Sequence, residues 1–281
     1  MRVFILTLLA MIAFAGNSLL CRLALKRTTI DAASFTFIRI LSGAVALWII
    51  VIISKGTWRK AGSWASALAL FAYAAAFSFA YISLSAGTGA LLLFGAVQAT
   101  MILWGLRTGE RMRTRQWLGL ALAGGGLVAL LFPGLSAPPI NGALLMICAG
   151  IAWGIYSLRG KGAGDPATAT AGNFLRAVVL ATGLSMALLP WLKLDRGGIG
   201  YAIFSGAIAS GVGYLIWYSA LPELKAASAA TVQLSVPVLA ATGGILFLGE
   251  PITLRFLLAS LALLGGIALV VAKNTQVVPP D

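Results

Sequence analysis

Arg39 and Arg176 each stand seven or eight residues inside a long apolar run. A guanidinium carries a permanent charge and five donors, so it grips a carboxylate through two parallel hydrogen bonds. Inside an apolar span it is a candidate site for a substrate carboxylate. The competing reading is that its long stem lets the head reach the polar surface, or that it pairs structurally. Amides form a second set: Gln98 near the middle of a span, Gln233 with Thr231 in the inner part of another, and Asn17 near the outer end of the first. An amide donates and accepts, which suits a zwitterion, and Gln98 is the foremost single candidate. An interhelical hydrogen bond would satisfy the same groups.

Aromatic residues form the third set. Tyr73, Phe77 and Tyr81 are spaced by four and share one helical face. Ser210, Tyr214 and Tyr218 repeat that spacing, with Trp217 adjacent. Such stripes would wall a cavity that stacks on flat or apolar substrates, with the end tyrosines near its gates. The alternatives are an interfacial belt for Tyr81 and Tyr218 and ordinary helix packing for the rest. Glu110 and Glu250 precede two spans. Glu250-Pro251 reads as a helix start, with the acid at the positive end of the dipole and Arg115 and Arg255 as plausible partners for the two glutamates.

Some chemistry has no residues to perform it. The chain has no histidine, and its two cysteines, Cys21 and Cys148, fall in apolar stretches. No cluster has metal-ligand spacing, no phosphate-binding loop is present, and no cofactor is expected. All seven carboxylates map to loops, span ends or the tail. A membrane-embedded enzyme would need such groups inside the spans, and so would a buried acidic proton relay. The expectation is a non-enzyme without catalytic residues, working downhill or coupled by a route the sequence hides.

The elements that must position these residues follow from composition. Of the 281 residues, 60% are hydrophobic and 10% charged, with a mean hydropathy of +0.99. That excludes a soluble globular domain and a disordered chain. Ten apolar spans fit: roughly 3–21, 32–53, 64–82, 87–106, 116–132, 140–158, 170–192, 199–220, 226–247 and 254–272. A signal peptide is imitated at Met1–Gly16, but the segment has a counterpart later in the chain and reads as the first helix. The excess of bases, a net charge of +13, sits in loops and so speaks for membrane orientation rather than nucleic acid. With the N-terminus inside, inner segments hold 12 Lys and Arg and outer ones 6, so both termini are expected in the cytoplasm. The first half carries most of that bias.

The halves resemble each other. A shift of 137 residues lays Phe37-Ile38-Arg39 on Phe174-Leu175-Arg176, Phe77 on Tyr214 and Tyr81 on Tyr218. A shift of 140 lays Gly109-Glu110 on Gly249-Glu250, Arg115 on Arg255 and Gly125-Gly126 on Gly265-Gly266. Ala15-Gly16-Asn17 corresponds loosely to Trp153-Gly154-Ile155, which adds Trp153 to the candidate site. Each half has five spans, an odd number, so the second enters the membrane upside down. The expected fold is all-α: ten transmembrane helices in two inverted five-helix repeats, 1–132 and 140–273, around a Pro/Gly-rich joint at 133–139, with a disordered tail at 274–281. Inverted repeats of this kind place a substrate site at their interface.

These features, with Gly-Glu after spans 4 and 9, Pro237 in span 9 and the doubled Gly-Gly, resemble the EamA-type branch of the drug/metabolite transporter superfamily. The resemblance covers nearly the whole chain. It implies export of small metabolites across a bacterial inner membrane, looking most like exporters of amino acids, aromatic ones included, by alternating access. A lipid flippase or an exporter of nucleosides or drugs is the alternative. One chain holds both repeats, so a monomer suffices. Pro237 marks an expected hinge in span 9. Its counterpart is Val97, so span 4 bends at Gly95 or stays straighter.

Overall fold

A bilayer offers no partner for backbone N–H and C=O groups, so spanning segments must satisfy them internally. In the computed structural model, which describes residues 2–54, 61–109, 111–134, 137–160, 165–224 and 232–271, the chain does so with helices throughout. They are α1 (Arg2–Arg27), α2 (Ala32–Ile53), α3 (Trp64–Tyr81), α4 (Ala86–Arg107), α5 (Thr114–Leu131), α6 (Ile140–Gly160), α7 (Pro166–Ala187), α8 (Arg196–Ala220), α9 (Ser235–Leu248) and α10 (Leu254–Val271). Six of them, α1 to α4, α6 and α8, are long and apolar enough to cross a membrane; α9 and α10 are apolar but shorter. Glu110, Thr231, the 274–281 tail and positions 135 and 136 of the joint lie outside the described residues.

The helix ends are chemically marked. Asp31, Ser63, Ser85, Asp165 and Asp195 each accept a hydrogen bond from a backbone N–H in the first turn of the helix that follows. Helix α1 outruns its expected end at residue 21. Its polar last turns, with Lys26 and Arg27, continue the helix and suit the negative end of its dipole. Asn17 therefore lies well inside α1 rather than near its end.

The packing interleaves the halves. Helix α1 packs on α8 and α9 of the second half, and α6 packs on α3 and α4 of the first. Two further pairs, α2 with α7 and α5 with α10, join equivalent helices. Large apolar side chains such as Trp48, Leu118, Phe204 and Leu246 remain exposed around the outside, as a lipid surround permits.

Three irregularities shape the interior. In α8, residues Phe204–Val212 form wide π-helical turns. Such turns bond i to i+5 and bring residues five apart towards one face, here Ser205 and Ser210. A methyl group on Gly206 would collide with the Arg39 carbonyl, so this glycine sets the close crossing of α2 and α8. Span 9 was expected over 226–247 with a hinge at Pro237. Residues 225–231 lie outside the described residues; α9 begins at Ser235, after a turn at Leu234 that follows helical Val232 and Gln233. Pro237 thus falls in a first turn, where its missing N–H costs little. Helix α4 runs unbroken through Gly95, which lies against Leu263 of α10.

Candidate functional site

Five helices, three from the first half and two from the second, bring their aromatic residues to one place. Phe14 and Asn17 come from α1, Tyr73 and Phe77 from α3, Leu93 and Phe94 from α4, Trp153 from α6 and Tyr214 from α8; together they line a narrow internal cavity of about 10 Å³. Every one of these side chains is buried. Trp153 is the hub, with ring centroids 4.9 Å from Tyr73 and 4.6 Å from Tyr214. Phe14 stands edge-on to Trp153, Tyr214 and Trp217. The rings continue in both directions. Phe77 and Tyr81 lead towards the face opposite the N-terminus, and Tyr156 and Tyr218 towards the face that bears it. Tyr81–Phe77–Tyr73–Trp153–Tyr156–Tyr218 is one column of rings through the bundle.

Behind the cavity wall lies Arg39, 2% exposed. Its Nη2 donates to the hydroxyls of Tyr73, at 3.0 Å, and Tyr214, at 3.4 Å; its Nε donates to Ser210 at 3.2 Å. The guanidinium carbon sits 4.8 Å from the Phe77 ring centroid and 5.1 Å from that of Tyr73. Nη1 is buried and has no hydrogen-bond partner. Among the described residues no acid forms an ion pair with this charge. Asn17 completes the polar edge: its amide nitrogen donates to the Tyr73 hydroxyl at 3.1 Å and its oxygen accepts from Ser205 at 2.6 Å. Cation–π contact and hydroxyl dipoles offset part of the cost of burying a guanidinium, but no anion neutralises it.

Arg39 touches both members of two repeat-related pairs, Tyr73 with Ser210 and Phe77 with Tyr214. It sits close to the axis that relates the halves. Its counterpart Arg176 does not. That side chain is half-buried and donates to the carbonyls of Ala61 and Gly172, both at 2.8 Å, fastening the segment before α3 to α7. Two positive charges at one centre would repel, and the structure places one there. Gln98 and Gln233 are buried but do not line the cavity. Trp217 stands edge-on to Phe14 and does not line the cavity, and Tyr81 and Tyr218 are buried members of the ring column rather than of an interfacial belt.

Sequence reasoning passed over Phe14, Tyr156 and Ser205 as site residues, and the ion pair that closes one end. Phe14 precedes Asn17 by three, and Tyr156 follows Trp153 by three, so the spacing that puts them on shared faces was present. Glu250 was read as the cap of α10, with Arg255 as a plausible partner. That helix starts at Leu254, and Glu250 turns the other way: it pairs with Arg22 at 3.0 Å and accepts from the Ala86 N–H, the first of α4, at 2.8 Å. Arg255 donates instead to the Phe132 carbonyl. Gly249, in the left-handed region at φ 65°, makes that reversal possible: the N–H of Glu250 returns to the Gly244 carbonyl and closes the end of α9.

A multi-pass helical bundle built from two inverted halves, with a polar and aromatic cavity where they meet, is the architecture of a membrane carrier. The model of the EamA-like transporter family matches residues 1–132 and again 140–272. The chain belongs to that family. It is 58% identical to an uncharacterised protein of Pseudomonas aeruginosa over 97% of this chain and 96% of that one. An uncharacterised transporter of Archaeoglobus fulgidus is 25% identical over 97% and 98% of the two chains. The threonine/homoserine exporter of Escherichia coli K12 is 32% identical over 57% of this chain and 56% of its own. A solved crystal structure, 17% identical, superposes with a TM-score of 0.69 over 94% of this chain and 97% of that one, which bears on the fold alone.

Proposed function

We propose that this transporter exports small zwitterionic metabolites, amino acids foremost, from the cytoplasm of a bacterium across its inner membrane by alternating access. The observation that carries this is Arg39: a buried, unneutralised guanidinium with a free Nη1, one layer behind a ring-lined cavity at the junction of the halves. A carboxylate supplies the missing negative charge, and a flat or apolar side chain fits among Trp153, Tyr73 and Tyr214. The Asn17 carbonyl oxygen and the Tyr214 hydroxyl, each accepting one bond already, can accept a second from an ammonium group. The partial likeness to threonine/homoserine exporters supports amino acids as the class. The enclosed lining favours a soluble metabolite over a lipid. The cavity is narrow, so the rings of Trp153 and Tyr214 have to part when substrate enters.

The test is uptake of labelled threonine, homoserine, alanine, phenylalanine and tryptophan into proteoliposomes, with a nucleoside as contrast. Saturable flux of one or more amino acids, competed by unlabelled substrate, is expected. Flux of the nucleoside alone, or none at all, would remove this reading. In the same assay Tyr214→Ala and Gln98→Ala are expected to impair flux while leaving the fold intact, Gln98 acting from outside the cavity lining. Wild-type flux would strike either residue from the site.

A further inference from the structure

A second and much larger hollow lies on the outside of the bundle, between α5 and α10, two helices that contribute nothing to the ring-lined cavity. Its volume is about 620 Å³, within the range of pockets that hold a small-molecule ligand. Small residues make its floor. A methyl group on Gly126 would stand 2.9 Å from the Ala262 methyl group and 3.0 Å from the Ala259 carbonyl, so the two backbones nearly touch there. Its walls are apolar: Leu122 of α5 and Leu254 and Leu258 of α10 line it and are exposed. Gly125 belongs to the same lining, and a methyl group there would meet nothing within 4 Å. The hollow is a groove open to the surrounding lipid.

Its length and its charge say what fills it. The lining runs from Ala121 to Ala129 on α5 and from Leu254 to Ala262 on α10. Eight residues of helix rise about 12 Å, close to one leaflet of a hydrocarbon core of about 30 Å. The polar end of the groove lies at the face opposite the N-terminus, where α5 stops at Leu131 and α10 starts at Leu254. One residue of the lining is charged, Arg255, and it stands at that end. Its Nη1 donates to the Phe132 carbonyl at 2.6 Å, which holds the guanidinium over the end of α5. Among the described residues no acid forms an ion pair with it. A guanidinium has five donors in a planar fork that fits phosphate oxygens. A second copy of the chain suits the groove less well. In a two-fold pair each surface meets its own copy, which brings Arg255 towards Arg255 at the same depth.

We infer that the groove between α5 and α10 is a binding site for a phospholipid of the leaflet at the face opposite the N-terminus. One acyl chain lies along the groove against Leu122, Leu254 and Leu258, over the floor made by Gly126, Ala259 and Ala262. The phosphate sits on Arg255 at headgroup depth and neutralises it. The bound chain fills the space that the small residues leave and joins α5 to α10 from outside. The site is separate from the substrate cavity and holds whatever the substrate is.

The experiment is native mass spectrometry of the full chain released from detergent micelles. The probes are phosphatidylglycerol and a diacylglycerol with the same acyl chains. The wild type is expected to retain one phosphatidylglycerol per chain. Diacylglycerol, which lacks the phosphate and so the charge-assisted bond, is expected to bind roughly ten-fold more weakly. Arg255→Gln, which can still donate to the Phe132 carbonyl, is expected to bring phosphatidylglycerol down to the level of diacylglycerol. Gly125→Leu fills the groove from a position with open space, in a helix that favours leucine over glycine, and is expected to lose both lipids. Should Arg255→Gln fail to fold, Gly125→Leu still decides. Retention of phosphatidylglycerol unchanged in Gly125→Leu overturns the inference, and so does a preference for the phosphate that survives in Arg255→Gln. A dimer of chains that Gly125→Leu dissolves would put a second copy in the groove and overturn it as well.

Discussion

Among the described residues Arg39 pairs with no acid, and that fixes what its loss should do. If its free Nη1 meets a substrate carboxylate, Arg39→Met removes a charge-assisted bond worth about 1.5–3 kcal/mol, or roughly 10- to 100-fold in kcat/KM for an amino acid. The methyl ester of the same amino acid, which lacks the anion, should lose far less. Equal losses for acid and ester would mean that the residue only supports Tyr73 and Tyr214. Asp31 supplies a pH dependence outside the membrane. Burial alone would raise its carboxyl, but hydrogen bonds from the Lys193 and Ser34 N–H groups and the Ser34 hydroxyl outweigh that and hold it below its ordinary value. A lowered folded-state pKa means stability that is present above the unfolded value of about 3.9 and lost as pH falls through the folded one. The melting temperature should therefore drop less with acid in Asp31→Asn than in the wild type. Both arginines were legible as intramembrane charges, because few sequence features are rarer. Their division of labour was not, because a symmetric sequence pattern does not say which copy occupies the shared centre.

At the scale of elements, α8 depends on close backbone approach. Gly206→Ala should force α2 and α8 apart and cost about 1–3 kcal/mol, the usual penalty for overpacking. Gly265→Ala, with nothing near its new methyl group, should stay within about 0.5 kcal/mol of wild type. Thermal unfolding in detergent compares the two. The spans themselves were readable from runs of apolar residues and capping acids and serines, since a lipid-facing helix has few other solutions. What escaped the sequence were the irregular turns. The π-helical stretch of α8 carries no composition signal, and a proline such as Pro237 reads alike at a hinge and in a first turn. The ring column was half visible: the stripe on α3 announces itself by its spacing of four, whereas Phe14 and Tyr156 are single aromatics in spans where aromatics are common.

Over the whole molecule the halves share a pattern without sharing a conformation. The shift of 137 that superposes Phe77 on Tyr214 also brings Arg22 onto Arg159. Arg22 holds Glu250 and two carbonyls at one face; Arg159 donates to Ser66 at 3.1 Å and Ser63 at 3.5 Å at the other. Tyr81 donates its hydroxyl to the Ala86 carbonyl at one face, while Tyr218 is buried against Tyr156 at the other. Such inequivalence is what a carrier needs if its two ends are to open in turn. The repeat could be read from the sequence because its landmarks are rare residues in fixed order. The Arg22–Glu250 clasp could not, because its partners stand 228 positions apart and no local pattern pairs them.

The lone charge near the molecular axis has an electrical consequence. A carrier that floods its cavity with water risks becoming a leak, because the membrane potential pulls protons and sodium ions through any wet path. A fixed guanidinium one ring behind the cavity wall raises the electrostatic cost of a cation at that depth. On the proposed reading Arg39 would then serve as insulation as well as anchor. Vesicles carrying Arg39→Met should lose an imposed potential faster than wild-type vesicles, even with no substrate present.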